Sequence, residues 1–238
     1  YRDWHELETY FGRIGMILSE GERRAEVLVI HPVEAMWRKV RKGWLKEDPS
    51  VQRLDKEFQK QCLDLIAAQQ EFDYGDEELM RKYGSVGQDE KGAYLQVGSC
   101  RYRYILLAEG QKIRECTRTL INEFISLGGK VVAGAEDLPA GEVLSAPKGI
   151  ASAIRRYSGE SILFLMNLSE KEKTAGAVVL TDDLANYAAE EWDMVSLCPI
   201  GKADLSNLSF EAGEMKIFLL KNFAALNPRE EAKYENFS

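Results

Sequence analysis

Histidine and cysteine are scarce in this chain of 238 residues, which carries two of the first and four of the second. The cysteines, Cys62, Cys100, Cys116 and Cys198, show no CxxC spacing, and two histidines with dispersed thiols cannot close a metal site. No metal and no cofactor is expected. No uninterrupted apolar run approaches the roughly twenty residues that cross a bilayer, and no charged-then-apolar leader opens the sequence. Neither a membrane nor a secretion signal is expected, and unpaired thiols favour a reducing, cytoplasmic setting. Positive charge is also in deficit: the net charge of −8 argues against nucleic acid, whose phosphates need a basic surface. The basic stretch of Arg38, Lys39, Arg41, Lys42 and Lys46 around Trp37 and Trp44 is therefore read as a solvated or protein-facing loop. GxxxxGK[ST] is missing, as is GxGxxG after a strand, so no phosphate cradle is encoded.

The hydrophobic fraction of 45% is enough for a true core. Leu7, Tyr10, Phe11, Ile14, Ile17 and Leu18 recur at helical spacing over 4–20, and Gly21 suits a left-handed cap. Ala25 to Pro32 reads as a buried parallel strand. Residues 32–52 read as a long loop ended by Asp48-Pro49-Ser50, and a helix over 52–69 carries Leu54, Phe58, Cys62, Leu65 and Ile66 on one stripe. Phe72-Asp73-Tyr74 is a short strand, and Asp76 caps a helix through Met80, with Glu77 and Glu78 complementing its dipole. Residues 93–108 read as one hairpin turning at Gly98-Ser99, followed by a helix over 111–127 and a strand over 130–133.

Alternating strands and helices imply a parallel sheet with right-handed crossovers. The expected fold class is α/β: a flavodoxin-like three-layer domain over 22–135, followed by a small all-β sandwich. A Gly-, Pro- and Ala-rich linker covers 136–150, and short strands divided by Gly, Asn, Asp and Pro over 151–222 supply the sandwich. The helix within 1–21 belongs to neither domain and is assigned to a preceding one, while 223–238 forms a polar tail.

Three residues are candidates for ligand binding. His31 ends the first strand, where open α/β sheets place their crevice; Glu34 follows within reach, and Trp37 offers a ring to a sugar face. The bland alternative is that His31-Pro32 merely ends a strand. Gly98-Ser99-Cys100-Arg101 faintly suggests a nucleophile elbow of the amidotransferase kind. The residues after Arg101 are strand-like, however, whereas an elbow needs a helix there.

The order of these segments resembles the non-catalytic middle and β-sandwich domains of multi-domain glycoside hydrolases. The resemblance runs through Tyr10-Phe11-Gly12-Arg13-Ile14, Ala25 to Pro32, Leu54 to Phe58, Phe72-Asp73-Tyr74, Arg101 to Leu107, Ile162 to Asn167 and Glu191-Trp192-Asp193. It is similar to family 42 β-galactosidases, with their flavodoxin-like trimerisation domain, and to rhamnosidase-like or family 2-like enzymes. The resemblance implies a catalytic barrel outside this chain, since an eight-fold βα repeat does not fit its length. No catalytic residue is then expected here. The chain would form an active-site rim or an oligomer contact, meet carbohydrate through the intact parent enzyme, and turn over no glycoside alone. The alternative from another class is a freestanding carbohydrate-binding module using Trp37, Trp44 or Trp192.

Overall fold

The computed structural model describes residues 2–157 and 159–222; the expected polar tail lies outside them. Helices and strands are mixed, the strands being divided among five sheets. The chain separates into two compact units, one made of residues 25–140 and the other of the residues up to Arg24 together with those from Gly141 on.

Helix α1 (Arg2–Ser19) opens the chain, and Gly21, at φ 73°, turns it in the left-handed region expected of a glycine cap. The 25–140 unit then begins with β1 (Val27–Ile30), all four residues buried. The segment expected as a loop holds two short helices, α2 (Val33–Trp37) and α3 (Trp44–Glu47). Helix α4 (Pro49–Ala67) starts earlier than expected because Asp48 caps it, accepting from Ser50 N–H at 3.0 Å. Strand β2 (Phe72–Gly75) and helix α5 (Glu77–Tyr83) follow. Asp76 caps α5 by accepting from Glu78 and Leu79 N–H, as the sequence indicated.

Strands β3 (Gly84–Asp89), β4 (Gly92–Val97) and β5 (Cys100–Tyr102) make a small antiparallel sheet. The expected single hairpin is thus corrected. Its turn at Gly98-Ser99 is present, with Val97 facing Cys100, but the second arm breaks at Arg103. There the Arg103 and Tyr104 N–H groups both donate to Glu26 O, at 2.8 and 3.1 Å, and β6 (Tyr104–Leu106) joins β1 in parallel. The Arg103 guanidinium holds the corner, donating to Gly92 O and to both Asp89 carboxylate oxygens. Helix α6 (Glu115–Ser126) and β7 (Lys130–Val132) complete the unit.

The principal sheet here is four-stranded and parallel, in the order β2-β1-β6-β7. Alternate residues of β1 feed two layers. Leu28 and Ile30 pack with Met80, Leu95, Tyr102, Ile105, Ile121 and Phe124, while Val27 and Val29 pack with Leu65, Leu106 and Val132, with Phe58 against them. This is why β1 is apolar at every position rather than at every second one.

In the other unit, β8 (Val143–Ser145) begins within the expected linker, and β9 (Ile150–Arg156) and β10 (Glu160–Asn167) follow. Next come β11 (Thr174–Gly176), β12 (Val179–Leu180), the short α7 (Asp182–Ala185), β13 (Tyr187–Asp193), β14 (Cys198–Ala203), β15 (Leu208–Phe210) and β16 (Met215–Asn222). A five-stranded antiparallel sheet runs β14-β13-β16-β10-β9, and β11-β15 and β12-β8 form two smaller pairs. Ile154, Leu163, Leu165, Phe218 and Leu220 meet Val143, Leu180, Leu208 and Phe210 in the core between them. The opposite face of the five-stranded sheet, through Phe164, Ile217 and Met194, carries Tyr10, Ile14, Ile17 and Leu18 of α1. The N-terminal helix therefore packs on the sheet of this unit. Arg155 Nε caps its last turn through Leu18 O at 2.9 Å.

No helix among the described residues is long and apolar enough to cross a membrane.

Candidate functional site

Strand β1 lies between β2 and β6, both parallel to it, so the strand order reverses direction at β1. The crevice of an open α/β sheet falls at the carboxyl ends of the strands flanking such a point. All three sequence candidates lie at or beyond the carboxyl end of β1.

In this structure the chain fills the crevice itself. Gln111 Nε2 donates to Ile30 O at 3.0 Å. Arg114, just before α6, donates from one guanidinium nitrogen to Glu34 and from the other to Glu78 Oε2, the latter at 2.6 Å. Its own backbone N–H donates to Glu77 Oε2, also at 2.6 Å. Glu77 is 1% exposed, and a buried carboxylate needs such a donor. Arg81 first, and then Arg114, hold the Glu78 carboxyl down to about 2, well below its ordinary range. Glu34 first, and then Glu78, push the Arg114 guanidinium further upward. Three carboxylates close to a strand end are thus engaged by one arginine.

His31 is placed on the α4 side. Its N–H donates to Gly75 O at 3.1 Å, and its ring meets Phe58 edge-to-face at 4.9 Å and Tyr74 at 5.6 Å. Tyr74 is half exposed and approaches Cys62 Sγ with its hydroxyl at 3.4 Å. Burial first, and then the Cys62 hydrogen bond, push that phenol up to about 12, so it stays neutral across physiological pH. Trp37 ends α2 with 66% of its surface exposed. Among the described residues, no hydrogen bond or ring contact joins His31, Glu34 and Trp37 to one another.

Sequence reasoning missed Arg114 and Gln111. Both lie in a stretch read as helix, 111–127, whose first residues are irregular in the structure because their side chains reach back to β1 and α5. The acidic run Asp76-Glu77-Glu78 was the available signal. Its reading as a capped helix start holds for Asp76, but Glu77 and Glu78 also serve Arg114.

The remaining candidates resolve simply. Cys100 opens β5 within the hairpin sheet, so no helix follows it as an elbow requires. Cys62 is half-buried, Cys100, Cys116 and Cys198 are exposed, and all four thiols are free. Among the described residues, no group of three or more His, Cys, Asp or Glu is placed to hold a metal ion. Two clefts of the same unit, of about 580 and 220 Å³, are lined by neither His31, Glu34 nor Trp37.

No protein-family model matches the chain, and no curated protein matches it either. Solved structures do match. A rhamnosidase from Novosphingobium sp. PP1Y is similar over 93% of this chain at 12% identity, with a TM-score of 0.56. A β-galactosidase from Bacillus circulans sp. alkalophilus matches over 92% at 14% identity and a TM-score of 0.43. A GH42 β-galactosidase from G. stearothermophilus matches over 88% at 11% identity and a TM-score of 0.41. The chain spans 25%, 45% and 42% of those proteins respectively. At such identities the likeness is one of fold, and only that to the rhamnosidase is close enough to carry an argument.

Proposed function

We propose that this chain is a non-catalytic part of a larger glycoside hydrolase, serving as structural support, as an oligomer contact or as the rim of an active site carried elsewhere. One observation carries this reading: the rhamnosidase likeness takes in 93% of this chain, yet occupies only a quarter of that protein. The strand order β2-β1-β6-β7 agrees with the first four strands of a flavodoxin-like sheet. The apposition of the five-stranded sheet with the two smaller pairs supports a β-sandwich for the second region.

The site chemistry supports the same reading. Glycoside hydrolysis commonly needs two carboxyl groups facing each other across a sugar. At the carboxyl end of β1, Glu34, Glu77 and Glu78 are instead all bound to Arg114. In this reading Trp37 presents its exposed ring to carbohydrate bound by the parent enzyme, while His31 and Glu34 shape the edge behind it.

The purified chain, assayed against p-nitrophenyl α-L-rhamnopyranoside and p-nitrophenyl β-D-galactopyranoside, is expected to release no nitrophenol above the rate in buffer. Turnover that survives purification would overturn the reading. An immunoblot of the source cells is expected to show a band several times heavier than this chain.

A further inference from the structure

Residues 33–42 follow directly on the end of β1 and cross the carboxyl end of the parallel sheet. At Glu34 they meet the layer of α5 and α6 through Arg114; Met80, Ile121 and Phe124 of that layer pack on Leu28 and Ile30. By Asp48 the chain has passed to α4, whose Phe58 and Leu65 lie against Val27 and Val29 in the opposite layer. The segment is thus a strap that joins the two faces of the sheet over the end of β1.

Little apolar surface fastens it. Helix α2 has no buried residue, Trp37 and Val40 are exposed, and no residue of the strap belongs to either core layer. Its side-chain ties are polar. Lys39 Nζ donates to Ser50 Oγ at 2.7 Å, and Arg41 pairs with Asp48 at 3.3 Å, so both of these reach only to the start of α4. Among the described residues, the side-chain tie to the α5–α6 layer is the pair of Glu34 with Arg114. Pro32 is buried and anchors the near end, while Gly43, at φ 78°, turns the far end in the region that glycine enters freely. A segment with few apolar contacts and solvent-accessible ties opens at lower free energy than the core beneath it.

We propose that the strap is a lid on the carboxyl end of β1, latched by the Glu34–Arg114 pair, and that it lifts while the sheet stays folded. Closed, the Glu34 carboxylate occupies one guanidinium nitrogen of Arg114. Open, Glu34 and Trp37 withdraw together, and that nitrogen faces the crevice while the other stays on Glu78. Opening therefore presents a cation at the point where the strand order reverses. Arg114 acts as a positioning residue, through the strap. The inference goes beyond the non-catalytic reading and stands without a hydrolase parent.

Native-state amide exchange of the whole chain, followed by NMR from zero to about 1 M urea, tests it. The Met36, Lys39 and Val40 amides, which bond within the strap, are expected to exchange at rates that urea leaves unchanged, because a lifting lid exposes little new surface. The Leu28 and Val29 amides of β1 should instead speed up with urea. R114Q should accelerate the strap amides about tenfold; E34Q should do so as well, but add nothing in the R114Q background. Thermal melts followed by circular dichroism establish that the variants fold. Should one fail to fold, raising sodium chloride from about 0.05 to about 0.5 M on the wild type replaces it, with acceleration of the strap amides by about threefold expected from screening of the latch. Strap amides that share the urea dependence of Val29, that are indifferent to the variants or to salt, or that respond in full to E34Q when Arg114 is already replaced overturn the proposal.

Discussion

Arg114 decides the character of the carboxyl end of β1. One side chain bridges Glu34 and Glu78, and the adjoining N–H serves the buried Glu77. The Glu78 carboxyl, held down to about 2 from 4.5, stabilises the fold at every pH above its unfolded value. That stability is lost as pH falls from near 4.5 through about 2. Arg114→Gln removes one of the two arginines responsible, so the variant should melt lower than wild type at pH 7. The gap should narrow as the melts are repeated down to pH 2.5, because below about pH 4.5 the unfolded chain gains a proton at Glu78 that the folded chain resists, and the advantage of the cation is progressively lost. A constant gap across that range would show that the bridge to Glu78 contributes no charge-dependent stability. Glu77→Leu strands the Arg114 N–H without its acceptor, and a loss of about 2 kcal/mol in urea unfolding is expected. None of these partnerships was legible in the sequence. Arg114 lies 80 positions from Glu34 and 36 from Glu78, and no periodic pattern connects charges at such separations.

At the scale of elements, the sequence was most informative where one residue face is buried along a whole helix or strand. Of the α1 stripe Leu7, Tyr10, Phe11, Ile14, Ile17 and Leu18, the residues Tyr10, Ile14, Ile17 and Leu18 meet the sheet, while Leu7 and Phe11 stay exposed. What the stripe could not name was its partner. Phe164 of β10 is 5% exposed and belongs to that contact. Phe164→Ala should cost about 3 kcal/mol through the cavity it leaves. Susceptibility of α1 to limited proteolysis should rise with it, as a digest followed by mass spectrometry would show; an α1 equally protected in the variant would mean that other residues hold it. Elements without such a face were missed. Strand β3 reads Gly-Ser-Val-Gly-Gln-Asp, with a single β-branched residue, and exists because β4 pairs along its whole length. Strands β8, β11 and β15 have three residues each, too few for alternation to register. The break at Arg103 has no local signal, because its cause is the distant Glu26 carbonyl and the Asp89 carboxylate.

At the scale of the molecule, the two units differ in how the chain builds them. Residues 25–140 are continuous, and both layers of their core come from within that span. The other unit needs α1 from one end of the chain and the strands from the other. Expressed alone, residues 25–140 should give a cooperative thermal transition and dispersed amide resonances. Residues 141–238 alone should expose the apolar face around Phe164 and Ile217 and bind a hydrophobic dye that the whole chain does not. Non-cooperative melting of the 25–140 piece would show that its core depends on the rest of the chain.

By itself the sequence determined which stripes of a helix or strand are apolar, because that pattern repeats with the period of the element and is written locally, although Leu7 and Phe11 of the α1 stripe stay exposed. It determined the alternation of strands and helices in the first region and the short strands of the second for the same reason. It also supplied Asp76 and Gly21 as local signals for a helix start and a helix end. The tertiary structure alone decided which buried faces meet and that Arg114 closes the end of β1. Those outcomes depend on groups far apart in the chain, whose pairing is set by packing and charge once the elements have come together.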